Sequence, residues 1–408
     1  MDNFDSLLSR AARSIKASEI REILKLTRGK EIISFAGGLP DPSVFPAEDL
    51  ADCAATVLRG RGASALQYGP SAGDSELLDE AARWMEAEHQ RAQSPRTSPP
   101  TIDNLLVTSG SQQGLDLLGK LLLDPGDVVL VALPSYLGAL QAFDSRGAKF
   151  VGVQLDEQGI CPAALEQQLG RLRDAGVRPK MVYVIPDFQN PTGVCLTLER
   201  RRRIVELVHE YDTLLIEDCP YRQLRYSGDT LPTCHSLDES GRTIVLNTFS
   251  KVTAPGLRLG WLTAHASVIE KLVLLKQATD LCTSSLNQAV AAEYCRRGLL
   301  ASHLRLVIDT YREKRDAMLD ALERHMPQRE GLRWTRPEGG LFLWLTLPPE
   351  LDARELLPKA IAAQVAYVIG GAFHCDGSGQ NTMRLNFSYP SLASIDIGVR
   401  RLAQIIGA

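Results

Sequence analysis

Between residues 105 and 278 short apolar runs alternate with helix-length segments, and that alternation limits the fold more than any other feature of the chain. L-L-V-T at 105–108, V-V-L-V-A-L at 128–133, residues 149–153, M-V-Y-V-I at 181–185, L-L-I-E-D at 214–218 and T-I-V-L at 243–246 read as strands. Helices are expected from 111 onward and over 162–175, 197–211 and 266–278. Most of these strands have no polar side, so both faces of their sheet must be covered, and the intervening helices supply the cover. The pattern predicts an α/β fold with a largely parallel sheet, in which loops leaving the carboxyl ends of the strands form the ligand-binding edge.

The texture changes near residue 300. Helices expected over 286–297 and 301–325 give way to shorter strands, G-L-R-W and G-G-L-F-L-W-L within 331–345 and N-T-M-R-L-N-F at 381–387, around a helix at 354–364. This reads as a smaller α+β domain. The expected division is an N-terminal segment, 1–60, packing on the small domain, then a large domain, 61–299, and a small domain, 300–408. In the first segment one helix is expected over 5–29, with Ser18 as a cap, and another over 47–60. A helix over 74–90 precedes R-A-Q-S-P-R-T-S-P-P, a polar connector.

Charge and composition exclude several functions. With 45 basic and 49 acidic residues and no long block of either, the chain offers no field for a nucleic-acid backbone. The start, M-D-N-F-D-S-L-L-S-R, lacks the apolar core of a secretory signal, and no later run reaches a membrane span, so a cytoplasmic location is expected. Eight cysteines without a Cys-x-x-Cys pair and seven scattered histidines fit reduced thiols and no metal centre.

The loops carry the chemistry. L-N-T-F-S-K-V-T-A-P-G-L-R-L-G-W at 246–261 sets Lys251 among Thr248, Ser250 and Arg258, directly after a strand. Burial disfavours a lysine's charge, so these surroundings suit Schiff-base chemistry with a carbonyl compound, and the hydroxyls and guanidinium suit a phosphate; the competing reading is an ordinary turn. In L-V-T-S-G-S-Q-Q, Gly110, Ser111 and Gln112 open a helix whose free amides make an anion cup, without a Walker loop or a G-x-G-x-x-G fingerprint. Tyr136 leaves the carboxyl end of a strand, where its ring can stack on a planar ligand. Asn190, in Q-N-P-T-G, reads as a donor or as a turn former. Glu217 and Asp218 end an apolar strand, where a carboxylate is costly unless a cation pairs with it. Arg384, in M-R-L-N-F, needs a carboxylate from a salt bridge or from a ligand. Gly37 and Gly38 allow the backbone to approach a ligand. Arg21 reads by itself as a solvated arginine, and Tyr68, in L-Q-Y-G-P, as a packed aromatic.

Taken in order, these segments resemble the fold-type I pyridoxal-phosphate enzymes of aminotransferase class I/II, closest to the subgroup of 2-aminoadipate, kynurenine and multi-substrate aminotransferases. The resemblance rests on S-F-A-G-G-L-P-D-P, L-Q-Y-G, T-S-G-S-Q-Q, P-S-Y, Q-N-P-T-G, E-D-C-P-Y, T-F-S-K with A-P-G-L-R-L-G-W, and R-L-N-F, and spans nearly the whole chain. It implies the PLP-dependent transferase fold type I: a large domain with a mostly parallel seven-stranded sheet between helices, plus a smaller α+β domain. It implies pyridoxal 5'-phosphate as cofactor, with Lys251 as its anchor, Asp218 on the ring nitrogen, Tyr136 against the ring, and Asn190 and Tyr221 near the phenolic oxygen. Gly110, Ser111, Gln112, Thr248, Ser250 and Arg258 would surround the phosphate, joined by Tyr68 from the partner subunit of a homodimer. Arg384 would bind the substrate α-carboxylate, with Gly38 and Asn190 lining the site and Arg21 reading a distal carboxylate. Cys219 stands where the subgroup commonly has a second acid, and Thr248 where it has Ser.

The implied reaction moves an amino group from an L-amino acid (2-aminoadipate, glutamate, aromatic or branched aliphatic) to a 2-oxo acid, 2-oxoglutarate, in a ping-pong cycle. A PLP-dependent lyase acting by β-elimination could use the same scaffold. A ligand-sensing transcription regulator places such a domain behind a DNA-binding one, whereas only a short helix precedes Phe35 here.

Overall fold

The structure, a computed structural model, describes residues 4–9, 12–13, 31–90 and 98–407; Arg21 and most of the helix expected over 5–29 lie outside them. The first nine strands are β1 (Ile33–Ser34), β2 (Leu105–Thr108), β3 (Val128–Leu133), β4 (Lys149–Asp156), β5 (Gly159–Ile160), β6 (Met181–Val184), β7 (Leu214–Asp218), β8 (Thr243–Thr248) and β9 (Gly260–Thr263). All but β1 form one sheet in the order β2-β9-β8-β7-β6-β3-β4-β5. β3, β4, β6, β7 and β8 pair in parallel, β9 runs antiparallel to both its neighbours, and β5 folds back on β4. The seven-stranded expectation therefore meets an eight-stranded sheet. The extra strand, β5, is only two residues long and too short to carry a periodic signal.

Period-two burial shows how the sheet is covered. Val129 and Val131 of β3 face a core shared with Leu115, Leu117 and Leu118 of the helix Ser111–Leu122, whereas Leu130 and Ala132 face one shared with the helices Pro162–Asp174 and Leu198–Glu210. The helix Ser111–Leu122 lies so close to β8 that a Cβ on Gly114 would come within 2.5 Å of Leu246 Cδ2. Helices Ala266–Thr279, Ser285–Arg296, Leu299–His325 and Ala353–Ala362 begin and end within two residues of the expected bounds. The helices Leu137–Asp144 and Leu392–Gly407 were not anticipated.

Because β9 is antiparallel to β2 and to β8, those two strands run the same way as β3, β6 and β7. Thr108, Leu133, Val184, Asp218 and Thr248 thus end at one edge. The chain steps outward from β3 to β4 and returns to β6 on the other side of β3, which makes this edge the crevice at a topological switch point.

The remaining strands are β10 (Arg333–Trp334), β11 (Phe342–Thr346), β12 (Val365–Ala366), β13 (Val368–Ile369) and β14 (Thr382–Asn386). β10, β11, β14 and β13 form an antiparallel sheet in that order, and β1 pairs in parallel with β12. Phe35 extends the stitching, its amide donating to the Ala366 carbonyl at 2.8 Å and its carbonyl accepting from the Asn386 amide at 2.9 Å. A buried pair, Lys314 with Asp41, fastens the same segment to the helix Leu299–His325. Gly37 and Gly38 are thereby held above the edge where the large sheet ends.

Candidate active site

The chain turns at the end of β8, and Lys251 lies in the turn. Its Nζ donates to the Gly38 carbonyl at 2.9 Å, which joins the loop after β8 to the segment after β1. Burial, reinforced by Arg384 and Arg258, pulls its pKa from 10.5 down to about 8. A substantial share of the amine is then neutral near physiological pH.

Beside it lies an anion cradle. Gly110, at φ 76°, caps the helix Ser111–Leu122 with no side-chain hydrogen bond, in a left-handed region that glycine adopts without strain. A Cβ there would come within 2.8 Å of Arg258 Nη2, so the guanidinium rests against the helix N-terminus. Arg258, itself left-handed at φ 50°, donates to the Ser109 carbonyl at 3.3 Å and lies 3.5 Å from Ser250 Oγ. The hydroxyls of Thr248 and Ser250 are 3.0 Å apart. First-turn amides, two hydroxyls and a guanidinium with no acidic partner among the described residues suit a phosphate dianion. Gln112 turns its side chain elsewhere, donating to the Gly138 carbonyl at 2.9 Å and lying 3.4 Å from the Tyr136 hydroxyl. Burial, and then the charge of Asp218, push the Tyr136 phenol up to about 12.

Asp218 ends β7 at 1% exposure. Tyr183 of β6 donates its hydroxyl to Asp218 Oδ2 at 2.7 Å, while Oδ1 has no hydrogen-bond partner among the described residues. Burial lifts this carboxyl to about 7 against the lowering effect of Tyr183. A buried carboxylate oxygen left unsatisfied is costly, and a protonated ring nitrogen would supply both the missing donor and the missing charge. Glu217 corrects the expectation that both carboxylates need a cation: it accepts the Cys234 and His235 amides at 2.8 and 2.9 Å, and these donors satisfy it within the fold. Cys219 is buried beside them, its amide bonded to the Leu246 carbonyl at 2.8 Å.

Arg384 of β14 is also 1% exposed. Nη1 donates to Asn190 Oδ1 and Nη2 to the Ala36 carbonyl, each at 2.9 Å, and Nε has no partner among the described residues. The guanidinium lies over the Phe342 ring at 4.1 Å and near that of Phe373 at 5.1 Å. Burial pulls its pKa down to about 10, partly opposed by Tyr221 and Tyr136. Among the described residues it has no carboxylate partner, so the salt bridge considered from sequence is not formed there. Asn190 Nδ2 donates in turn to the Tyr221 hydroxyl at 3.2 Å.

Lys251 contacts Gly38, Arg384 contacts Asn190 and Ala36, two residues before Gly38, and Asn190 contacts Tyr221, while Tyr136 lies within electrostatic reach of Asp218, Arg384 and Arg258. Tyr68 is apart, 79% exposed on its own chain. A separate cavity of about 960 Å³ lies behind the Asn190–Gly193 loop, lined by Thr192, Gly193, Arg225, Trp334 and Trp344, and contains neither Lys251 nor Asp218. Sequence reasoning passed over Tyr183 and Phe342. A tyrosine inside a strand buried throughout was the available signal, since its hydroxyl needs a partner; Phe342 read as ordinary core.

The open valences of these groups ask for one ligand, anionic at one end, carrying a protonated ring nitrogen and able to join an amine, and that ligand defines an enzyme of the pyridoxal-phosphate type. Residues 33–402 match the family described as aminotransferase class I and II. An aromatic-amino-acid aminotransferase of Thermococcus litoralis is 44% identical over 99% of this chain and 95% of its own. The crystal structure of a Pyrococcus horikoshii kynurenine aminotransferase in complex with PMP superposes with a TM-score of 0.94 at 42% identity, covering 100% of this chain and 98% of that one. An α-aminoadipate aminotransferase of Thermus thermophilus, complexed with N-(5'-phosphopyridoxyl)-L-leucine, gives 0.89 at 40% identity over 99% and 98%. The chain belongs to the class I and II aminotransferases, and its cofactor is pyridoxal phosphate.

Proposed function

We propose that the chain transfers the amino group of 2-aminoadipate, glutamate, an aromatic or a branched aliphatic L-amino acid to 2-oxoglutarate, in a ping-pong cycle. The observation that carries this reading is Arg384, a buried guanidinium whose Nε is unpaired among the described residues, beside Lys251 and Asn190. A ligand carboxylate is its natural complement, held by two parallel hydrogen bonds. Relatives named for aromatic amino acids, kynurenine and α-aminoadipate support part of this range.

Pyridoxal phosphate, when bound, supplies an electron sink that stabilises negative charge at the substrate Cα. Asp218 Oδ1 holds the proton at the ring nitrogen. Gly110, Ser111, Gln112, Thr248, Ser250 and Arg258 would hold the phosphate, the Gln112 side chain also tying down the Tyr136 loop. Tyr136 would face the ring, and Asn190 and Tyr221 would donate toward its phenolic oxygen. Lys251 Nζ would anchor the cofactor and, once freed from it, would serve as the base and acid that moves a proton between the substrate Cα and the cofactor carbon. Gly38 and Ala36 present backbone carbonyls at the substrate end.

A homodimer that brings Tyr68 to the phosphate of the partner accounts for an exposed tyrosine beside exposed Leu66 and Leu281, whose loops are tied by the Ser71 hydroxyl donating to the Leu281 carbonyl at 2.6 Å. Eight free cysteines support a reducing, cytoplasmic compartment. The division into 1–60, 61–299 and 300–408 is kept as the working description of the domains. Arg21 remains the candidate reader of a distal carboxylate. Its replacement by Ala is expected to raise KM for glutamate and 2-aminoadipate more than for leucine or phenylalanine, and equal losses would remove it from that role. The test of the whole reading is a matrix of amino donors against 2-oxo acceptors with product identification. Release of pyruvate and ammonia from a β-substituted amino acid without any acceptor would replace transamination by elimination.

A further inference from the structure

The hydroxyl of Tyr183 is the hydrogen-bond donor that the described residues bring to Asp218. Tyr183 lies inside β6 between buried Val182 and Val184, its ring edge-on to Phe143 with centroids 6.0 Å apart. A phenylalanine would fill that space equally well, so packing does not explain the hydroxyl. β6 and β7 run in parallel with Tyr183 level with Ile216, and Asp218 is the next residue of β7 on the same face. The bond to Oδ2 fixes the rotation of the carboxylate and leaves Oδ1 without a partner among the described residues.

We propose that Tyr183 is a positioning residue for the aminotransferase reaction: it pins Asp218 Oδ2 so that Oδ1 is the oxygen presented to the cofactor's ring nitrogen, an inference that rests on the role given to Asp218 above. The same donation favours the ionised carboxylate against burial, and an ionised Asp218 is what keeps a proton on the ring. Without it the carboxylate becomes more basic, and the shared proton moves from the ring nitrogen toward Asp218.

Tyr183→Phe keeps the ring and removes the donor. With ring-labelled nitrogen-15 pyridoxal phosphate bound, the nitrogen resonance of this variant is expected to shift toward that of unprotonated pyridine. The Kd for pyridoxal phosphate, titrated into cofactor-free protein, is expected to rise by about tenfold. In an Asp218→Asn background Tyr183→Phe should change neither, because the residue it acts through is gone. Phe143→Leu, which disturbs the packing of the Tyr183 ring but not its hydroxyl, should leave the resonance in place. Equal losses in both backgrounds, or an unmoved resonance in the single variant, overturn the proposal. If Asp218→Asn alone changes neither resonance nor Kd, the assignment of Asp218 fails first and the proposal falls with it, a result distinct from failure at Tyr183. Should Tyr183→Phe not fold, 3,5-difluorotyrosine at 183 is a stronger donor of nearly the same shape and should shift the resonance the opposite way; an unmoved resonance there overturns the proposal equally.

Discussion

Two buried clusters of charge lie along the same edge of the large sheet and are built on opposite principles. In the first, Asp187 accepts Arg201 at 2.7 Å and Arg222 at 2.9 Å, and Arg222 also donates to Glu88 at 2.7 Å. Arg201 spends its remaining donors on the carbonyls of Leu196, Pro186 and Pro232. Burial raises the Asp187 carboxyl, but the two guanidinium groups outweigh it and hold the pKa well below the usual carboxylate range. In the second cluster Asp218 and Arg384 are as deeply placed and Lys251 is half-buried, none has an opposite charge in contact among the described residues, and all three pKa values move toward the neutral form. Asp187 and Asn190 are three residues apart and Arg222 directly follows Tyr221, so the paired cluster braces the loops that carry the site. The difference separates structure from function: charges that the fold satisfies hold loops in place, and charges that it leaves unsatisfied describe a ligand.

The largest expected effect is at the centre of the unpaired cluster. Lys251→Ala should lower kcat by at least about 10⁴-fold, since it removes both the attachment point and the group that carries the proton. Borohydride reduction followed by mass spectrometry should find no cofactor attached to the variant. An adduct at another lysine would break the distinction drawn here. In the paired cluster, Arg222→Ala removes the guanidinium that joins buried Asp187 to buried Glu88 and should destabilise the protein by about 3–5 kcal/mol, with or without cofactor. Urea denaturation measures it, and a loss below about 1 kcal/mol would mean that the network carries little of the fold.

These clusters also show what could be read from the sequence. The strand-helix alternation predicted the sheet, and a motif at the end of each of five strands marked Gly110, Tyr136, Asn190, Asp218 and Lys251, because chemistry in such a fold gathers where strands end. Asp187, Arg201 and Arg222 were not singled out, although they lie among those motifs. Nothing local says which arginine of R-R-R-R at 200–203 turns inward, and only the packed structure shows that Arg201 is fully buried while Arg203 stays half in solvent. Tyr183 was hidden for a related reason: its partner lies on a neighbouring strand, and strand register is absent from a linear pattern.

Asp218 sharpens the contrast through pH. Its folded-state pKa of about 7 lies above the ordinary 3.8, so the cofactor-free fold binds a proton that the unfolded chain has already released between those values. The destabilisation is therefore absent below pH 3.8, grows as pH rises, and is complete above about 7. Asp218→Asn removes it, so the cofactor-free variant should be more stable than the parent at pH 8 by an amount on the order of a few kcal/mol, with the gap closing toward pH 5. A variant less stable at pH 8 would show that Asp218 is satisfied within the fold after all.

Arg384 gives the smallest and most specific effect. Arg384→Lys keeps a positive charge between Phe342 and Phe373 but replaces a planar fork with a single ammonium, which cannot bond to Asn190, to the Ala36 carbonyl and to a carboxylate in the present geometry. The loss is of ligand contacts, because no protein carboxylate among the described residues depends on this guanidinium. KM for every amino donor should rise by about 10–100-fold, roughly the value of one charge-assisted hydrogen bond to two, while thermal stability without cofactor changes little. The comparison with Arg222 makes the measurement decisive, since both arginines are nearly inaccessible to solvent. If Arg384→Lys destabilised the cofactor-free protein as strongly as Arg222→Ala, its unpaired Nε would mark a structural role, and the missing carboxylate would no longer point to substrate.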